Sequence, residues 1–244
     1  MSAITVSSST PVFRFERVGR HFGRTVALHD VSFCIEEGQR WVVFGRNGAG
    51  KSTLLQVASG LLRASEGQVF YRERPVSRQR PALQREAGLL SHATGLYDDL
   101  TAEENLVFFA RLYQLESPQQ RVRKALEQVG LERRAREPVR KLSRGMQQRL
   151  AVARAFLHEP RVLFLDEPFT GLDAPSAALL LARIGEEKGA TVLLSSHDLE
   201  QGLALASHVA ILDRGQVVYQ GKVSSTSDSE CRSAYRRWVE GVLA

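Results

Sequence analysis

The sequence predicts an α/β fold with a parallel sheet at its core. Short β-branched and aromatic runs alternate with segments of helical periodicity, and a glycine-rich loop joins one such run to one such segment. The predicted strands cover residues 12–15, 26–35, 41–44, 68–71, 162–165 and 191–194. The alternation after Pro160 favours parallel pairing, because parallel strands need a crossover connection that is usually a helix.

Each predicted helix rests on apolar side chains spaced three and four residues apart. Residues 51–62 place leucines and alanine on one face, with Gly60 as an interruption. Residues 101–115 and 118–130 show the same spacing, and a proline and a glycine mark the ends of the second segment. We expect them to belong to a helical subdomain covering about residues 92–158.

The rest of the chain completes one domain, predicted to cover residues 12–223. A helix is expected around residues 174–185, and Arg214-Gly215 is expected to turn a β-hairpin. Residues 1–11 are interpreted as a loose tail, since they carry neither a basic stretch nor an apolar core of a signal peptide. Residues 224–244 are interpreted as a C-terminal tail without recognisable chemistry.

Composition and charge are those of an ordinary folded domain. Of 244 residues, 43% are hydrophobic and 25% are charged, which excludes disordered and collagen-like classes. The formal net charge of +6 suits an anionic partner, but interleaved acids favour a solvated surface over a nucleic-acid face. Cys34 and Cys231 fit a reducing compartment. The apolar runs are far shorter than the roughly 18 residues of a membrane span, so a membrane role requires a partner.

A glycine-rich loop stands between predicted strand 41–44 and predicted helix 51–62. It matches the pattern GxxxxGK[ST] and consists of Gly45, Arg46, Asn47, Gly48, Ala49, Gly50, Lys51, Ser52 and Thr53. Its backbone amides and the helix N-terminus are suited to phosphates, with Lys51 reaching the outer phosphates and Ser52 binding Mg²⁺. The loop predicts a nucleotide site and leaves kinases, GTPases and other ATPases open.

Two adjacent acids follow the apolar strand 162–165. Ligands bind at the carboxyl ends of strands in open α/β sheets, so Asp166 and Glu167 are expected at the nucleotide site. Asp166 suits Mg²⁺ through water, and Glu167 is free to orient or deprotonate the attacking water. The alternative is a pair of surface acids, which a fully apolar preceding strand disfavours.

A further motif identifies a family. It reads Leu142, Ser143, Arg144, Gly145, Met146, Gln147, Gln148 and Arg149, and it resembles the signature Leu-Ser-Gly-Gly-Gln of ABC ATPases. Ser143 also suits an ordinary helix N-cap. The order of phosphate loop, signature, acidic strand, Gly171-Leu172-Asp173 and then His197-Asp198 makes capping alone an insufficient explanation. The resemblance to ABC transporter ATP-binding subunits covers about residues 12–221.

This resemblance implies a phosphate-loop NTPase core of the ABC type, with an antiparallel β subdomain and an inserted helical subdomain. It also implies a head-to-tail dimer with a second nucleotide-binding subunit, in which Ser143 and Gly145 contact the γ-phosphate of ATP held by the partner. Asp173 would lie in the loop between the two sites. His197 would sense the γ-phosphate. Phe22 would stack on adenine, and core packing is its alternative.

Two departures from the family pattern point to a subgroup. His92 stands where the family usually has a glutamine that touches Mg²⁺, and Arg144 and Met146 replace a glycine and a glutamine of the signature. Together with the segment 96–106, these residues are most similar to the ATP-binding subunit of the haem exporter of cytochrome c maturation. The resemblance implies transmembrane subunits as partners and a peripheral position on the cytoplasmic face of the membrane.

Two other functions stay open. Another small-module exporter, of lipid, drug or polysaccharide, fits the same residues. A soluble ABC ATPase acting on ribosomes or DNA is disfavoured, because the chain has one phosphate loop and no sustained heptads. We therefore expect no nucleic-acid partner.

Overall fold

The computed structural model describes residues 10–91, 93–187, 189–223 and 228–241. Most of the predicted N-terminal tail, seven residues of the predicted C-terminal tail and His92 lie outside the described residues. The chain divides into a first unit, Met1–Leu83 with Thr191–Ala244, and a second unit, Gln84–Ala190. Within the described ranges, no helix is long and apolar enough to cross a membrane.

The described residues contain strands β1–β10 and helices α1–α8. The strands are β1 Phe13–Phe22, β2 Thr25–Ile35, β3 Arg40–Phe44, β4 Glu66–Tyr71, β5 Arg74–Pro75, β6 Ala87–Leu90, β7 Val162–Asp166, β8 Thr191–Ser196, β9 His208–Asp213 and β10 Gln216–Lys222. The helices are α1 Lys51–Ala58, α2 Val76–Glu86, α3 Ala102–Leu112, α4 Pro118–Gln128, α5 Arg144–Phe156, α6 Ala174–Glu186, α7 Leu199–Leu205 and α8 Asp228–Tyr235.

The first unit contains both antiparallel and parallel pairing. An antiparallel sheet has the order β2-β1-β4-β5. Separately, β3 lies between β8 and β9 and runs parallel to both, while β10 pairs antiparallel with β9. Arg214 and Gly215 join β9 to β10 with positive φ angles of 45° and 82°, so the predicted hairpin is confirmed.

The second unit combines a parallel strand pair with a helical core. Strand β6 runs parallel to β7. Helices α3, α4 and α5 surround a buried apolar cluster that includes Leu106, Leu126 and Leu150. Thr101 and Glu104 form a reciprocal capping box at the start of α3, which explains where that helix begins. The predicted mixture of parallel strands, antiparallel strands and helices is confirmed.

Helix α1 ends at Ala58, so the expected extension to residue 62 is wrong. Gly60 adopts a φ of 73°, and its amide donates to the Val57 carbonyl oxygen at 3.2 Å. A left-handed glycine just beyond a helix closes the last turn and redirects the chain. The glycine interpreted as an interruption is therefore a helix stop.

Helix α2 lies in a segment for which the sequence predicted no helix. Its sequence is strongly polar and contains Pro81, and the backbone at Gln79 is not helical. The Gln79 side-chain amide donates to the Arg74 carbonyl oxygen at 3.0 Å across this kink. The helix therefore has an irregular first half that apolar periodicity does not reveal.

The C-terminal residues expected to form a tail are helical over most of their described part. Helix α8 is followed by a π-helical turn, Arg236–Glu240. Cys231 and Tyr235 are buried. Residues 228–240, within the expected C-terminal tail, are therefore helical and pack into the fold through buried side chains.

Candidate nucleotide site

The phosphate loop of the first unit folds around the ammonium group of Lys51. This side chain is 6% exposed, and its Nζ donates to the Gly45 carbonyl oxygen at 2.8 Å and to that of Arg46 at 3.4 Å. Helix α1 begins at Lys51, so its first amides face the same loop as the ammonium group. A positive charge at the N-terminus of a helix is an arrangement that suits phosphates.

Neighbouring backbone segments support this loop. Gly50 has a φ of 107°, and a β-carbon there would overlap the Ala27 carbonyl oxygen of β2. Gly215 of the β9–β10 turn donates to the Ala49 carbonyl oxygen at 2.9 Å and accepts from the His29 amide at 2.8 Å. The turn therefore braces the loop against β2, a role that the hairpin pattern of Gly215 did not indicate.

His197 and the phosphate loop lie at the same edge of the first unit's parallel strands. Phe44 of β3 is the register partner of Ser196 of β8, and these residues directly precede Gly45 and His197. The Ser196 hydroxyl orders the turn after β8 with two hydrogen bonds. It accepts from the Asp198 amide at 3.0 Å and donates to the Asp198 carbonyl oxygen at 3.1 Å. His197 itself is exposed.

Phe22 lies on the surface of the first unit. It ends β1 and is 47% exposed, so it is not a core residue. The guanidinium of Arg20 covers the ring, with Cζ 4.6 Å from the ring centroid. An exposed aromatic ring of this kind can stack on a planar base.

In the second unit, the acidic pair is held at the end of a fully buried strand. All five residues of β7 are buried, including Asp166. Glu167 is only partly buried and adopts a φ of 49°, an uncommon conformation for a residue with a side chain. The Thr170 amide donates to the Glu167 carbonyl oxygen at 3.1 Å, which closes the turn. Strained backbone at this position is typical of functional sites.

The signature residues lie beside Asp173 in the second unit. Ser143 caps α5 by accepting from the Met146 amide at 3.3 Å, and Asp173 caps α6 by accepting from the Ser176 amide at 2.9 Å. A β-carbon on Gly145 would stand 3.5 Å from Asp173 Oδ2. Ser143 and Asp173 are both exposed. Ser143 and Asp173 therefore do act as helix caps. The N-termini of α5 and α6 nevertheless lie side by side and stay accessible.

The oxygen donors expected to bind Mg²⁺ are of the right chemical type. Ser52 offers a hydroxyl in the first turn of α1, and Asp166 offers a carboxylate at the end of β7. Mg²⁺ prefers oxygen ligands and commonly takes the remainder from phosphates and water. His92 replaces the glutamine that touches Mg²⁺ in the family, which makes it a third candidate ligand, and it lies outside the described residues.

Asn105 is a structurally important residue that sequence reasoning did not single out. It is fully buried on α3 and holds the preceding turn: its Oδ1 accepts from the Tyr97 amide at 2.8 Å, and its Nδ2 donates to the carbonyl oxygens of Tyr97 and Thr101 at 3.0 Å each. The sequence signal that could have identified it is an amide side chain on the apolar face of a predicted helix, next to Leu106, since a buried amide needs hydrogen-bond partners.

Comparison with known proteins agrees with this arrangement. Residues 28–170 match the ABC transporter family. The chain is 34% identical to a Nod factor export ATP-binding protein I of Cupriavidus metallidurans, over 91% of this chain and 74% of that protein. It is 36% identical to the ABC transporter ATP-binding protein NatA of Bacillus subtilis, over 84% and 85%. It is 31% identical to the linearmycin resistance protein LnrL of the same species, over 84% and 68%.

Solved structures show the same fold. An ATP-binding subunit of an ABC transporter has a TM-score of 0.82 and 30% identity, covering 92% of this chain and 94% of its own. A dimeric ATP-binding cassette with bound ADP and inorganic phosphate has a TM-score of 0.78 and 27% identity, covering 87% and 99%. With its phosphate loop, acidic strand end and signature helix, the chain belongs to the ABC transporter family as an ATP-binding, ATP-hydrolysing subunit.

Proposed function

We propose that this chain is the ATPase subunit of an exporter, working as a head-to-tail dimer on the cytoplasmic face of a membrane. The observation that carries the proposal is one chain with two complementary surfaces: a phosphate loop closed around Lys51, and an exposed signature helix start at Ser143. A helix N-terminus attracts anions. Two copies would then supply opposite sides of each ATP.

The residues take the following roles in this proposal. The loop residues 45–53 hold the phosphates, with Lys51 on the outer ones, and Phe22 stacks on adenine. Mg²⁺ offsets phosphate charge when bound, held by Ser52 and Asp166. Glu167 orients and deprotonates water for attack on the γ-phosphate, and the imidazole of His197 stabilises that arrangement.

The second copy contributes Ser143, Gly145 and Asp173. The first two would contact the γ-phosphate, and Asp173, beside Gly145, would lie where the two sites communicate. This pairing is supported by the exposure of Ser143 and Asp173. ATP binding would favour the closed dimer, and hydrolysis would release it, because a ligand shifts a population only by binding one state better.

A membrane subunit would dock on an exposed apolar surface of the second unit. Tyr97, Phe108 and Leu112 are 50%, 41% and 63% exposed. Phe108 and Leu112 are one helical turn apart on α3, and the rings of Tyr97 and Phe108 meet edge to face at 5.1 Å. A contiguous apolar surface of this kind marks an interaction site. His92 would report on the same partner.

Export of an amphiphilic lipid, drug or polysaccharide is the cargo class we favour. The names of two relatives, for Nod factor export and linearmycin resistance, support it. Haem export is the second candidate, and it rests on His92 and on the signature sequence around Arg144. To separate the two cargo classes, the chain is purified with its native membrane subunit and its ATPase activity is measured with haem and with amphiphiles. The true cargo is expected to raise ATP turnover.

The test of the ATPase mechanism is Glu167→Gln. Phosphate and metal contacts remain, so ATP binding persists while turnover falls by at least about a hundredfold, the usual range for loss of a general base. The variant accumulates as an ATP-bound dimer in size-exclusion chromatography with light scattering. Turnover at the wild-type rate in Glu167→Gln would show that Glu167 is not the general base. The dimer is rejected if the variant stays monomeric with ATP while the wild-type protein shows full ATPase activity with its membrane subunit.

A further inference from the structure

The C-terminal helix of the first unit reaches the turn that carries His197. Tyr235, the last residue of α8, is buried, and its hydroxyl donates to the His197 carbonyl oxygen at 2.5 Å. These residues are 38 positions apart in the sequence. The hydroxyl of a buried tyrosine normally finds a partner, and here the partner is the backbone of the turn after β8.

The same side chain also contacts the strand that leads into the phosphate loop. The rings of Tyr235 and Phe44 meet edge to face, with centroids 5.5 Å apart and planes at 88°. Phe44 is the residue before Gly45, and a β-carbon on Gly202 of α7 would overlap its ring. Phe44 is thus packed closely by α7 and by Tyr235.

An ion pair attaches α8 to α7 one turn earlier. Arg232 lies on the same side of α8 as Tyr235, three residues before it, and both its terminal nitrogens contact the carboxylate of Glu200, with Nη2 3.2 Å from Oε2. Bidentate geometry of this kind orients a side chain better than a single contact does. Helix α8 therefore has a defined rotation, which aims Tyr235 at His197.

We propose that Tyr235 is a positioning residue for His197 in ATP hydrolysis. The proposal rests on the role given to His197 above. The Ser196 hydroxyl orders the turn that carries His197 from one side. The hydrogen bond from Tyr235 adds a direct restraint on the His197 carbonyl group, and the ring of Tyr235 links that restraint to Phe44. Helix α8 thereby aligns the histidine with the phosphate loop.

The discriminating variant is Tyr235→Phe, which keeps the ring against Phe44 and removes only the hydroxyl. We expect kcat to fall about fivefold, the effect of losing one ordinary hydrogen bond, with KM for ATP within about twofold. Tyr113→Phe is the control: it removes the hydroxyl of a partly buried tyrosine of the second unit and leaves kcat unchanged. Wild-type kcat in Tyr235→Phe overturns the proposal, and so does an equal loss in both variants.

A spectroscopic measurement tests the bond without relying on turnover. Histidine labelled with ¹³C at the carbonyl carbon gives one signal for each of the six histidines, and His197→Gln identifies the signal of His197. Tyr235→Phe is expected to shift that signal alone. An unchanged signal overturns the contact. If His197→Ala retains wild-type turnover, the role of His197 fails; if His197→Ala is inactive and Tyr235→Phe is wild type, only the positioning proposal fails.

Discussion

The guanidinium of Arg154 donates to the Leu89 carbonyl oxygen at 2.8 Å and lies over the ring of Phe109, with Cζ 5.2 Å from the centroid. Gly95 lies against the same guanidinium. Arg154 belongs to α5, the helix that begins at the signature, while Phe109 contacts the rings of Tyr97 and Phe108. The partly buried guanidinium of Arg154 thus joins the signature helix to the proposed docking surface.

Replacing Arg154 should therefore weaken coupling to the membrane subunit. In Arg154→Met the apolar stem remains, but the bond to Leu89 and the contact with Phe109 are lost. We expect stimulation of ATPase activity by the membrane subunit to fall about tenfold, with basal activity changed less, because two interactions of about 1 kcal/mol are removed. Arg123→Met, at an exposed arginine of α4 outside the docking surface, is the control and should keep full stimulation.

His158 should make stability depend on pH in the acidic range. Its ring stacks on Tyr113 with centroids 3.9 Å apart, and burial lowers its pKa to about 4. The unfolded chain has a histidine pKa of about 6.5, so unfolding takes up a proton between these values and stability falls as the pH falls. The loss amounts to about 2–3 kcal/mol by pH 4.

Urea unfolding measured from pH 7 to pH 4 checks this expectation. His158→Gln should lower stability at neutral pH, through lost stacking, and flatten the slope between pH 6.5 and pH 4. His29→Gln, at an exposed histidine, should leave the slope as it is. Parallel curves for wild type and His158→Gln would show that other groups cause the acid response.

Asn105→Leu should destabilise the protein although leucine fits a helix well. The change removes the hydrogen bonds of the Asn105 side chain to Tyr97 and Thr101, and at about 1 kcal/mol for each lost bond the expected loss is about 2–3 kcal/mol. Thermal and urea unfolding measure this loss. Binding of the membrane subunit should weaken too, since Tyr97 belongs to the docking surface. Glu103→Gln, exposed on the same helix, should change stability by less than about 0.5 kcal/mol.

Phe22→Ala should reduce affinity for ATP while sparing affinity for inorganic triphosphate. Stacking of a base on an aromatic ring contributes about 1–3 kcal/mol, so ATP should bind about tenfold more weakly. Phe22→Trp keeps an aromatic face and should retain binding. Calorimetric titration with both ligands separates base recognition from phosphate binding, and equal losses for both would contradict stacking.

The sequence alone predicted the parts of the site whose chemistry is local. The phosphate loop is nine consecutive residues from Gly45 to Thr53 between a strand and a helix, so its conformation follows from glycines and one helix start. The position of the acidic pair is also predicted locally, because the short apolar run 162–165 predicts both the strand and the residue at which it ends. Helix α2 escaped prediction because Pro81 and polar side chains hide its periodicity.

Only the tertiary structure decided which distant residues meet. The Tyr235 hydroxyl reaches the His197 carbonyl across 38 positions, and Gly215 supports the loop at Ala49 through backbone hydrogen bonds. Such contacts leave no pattern in either segment, since backbone groups are present at every residue and a buried tyrosine resembles any core residue. Motifs therefore determined the nucleotide chemistry, while packing of α8 decided how His197 is held.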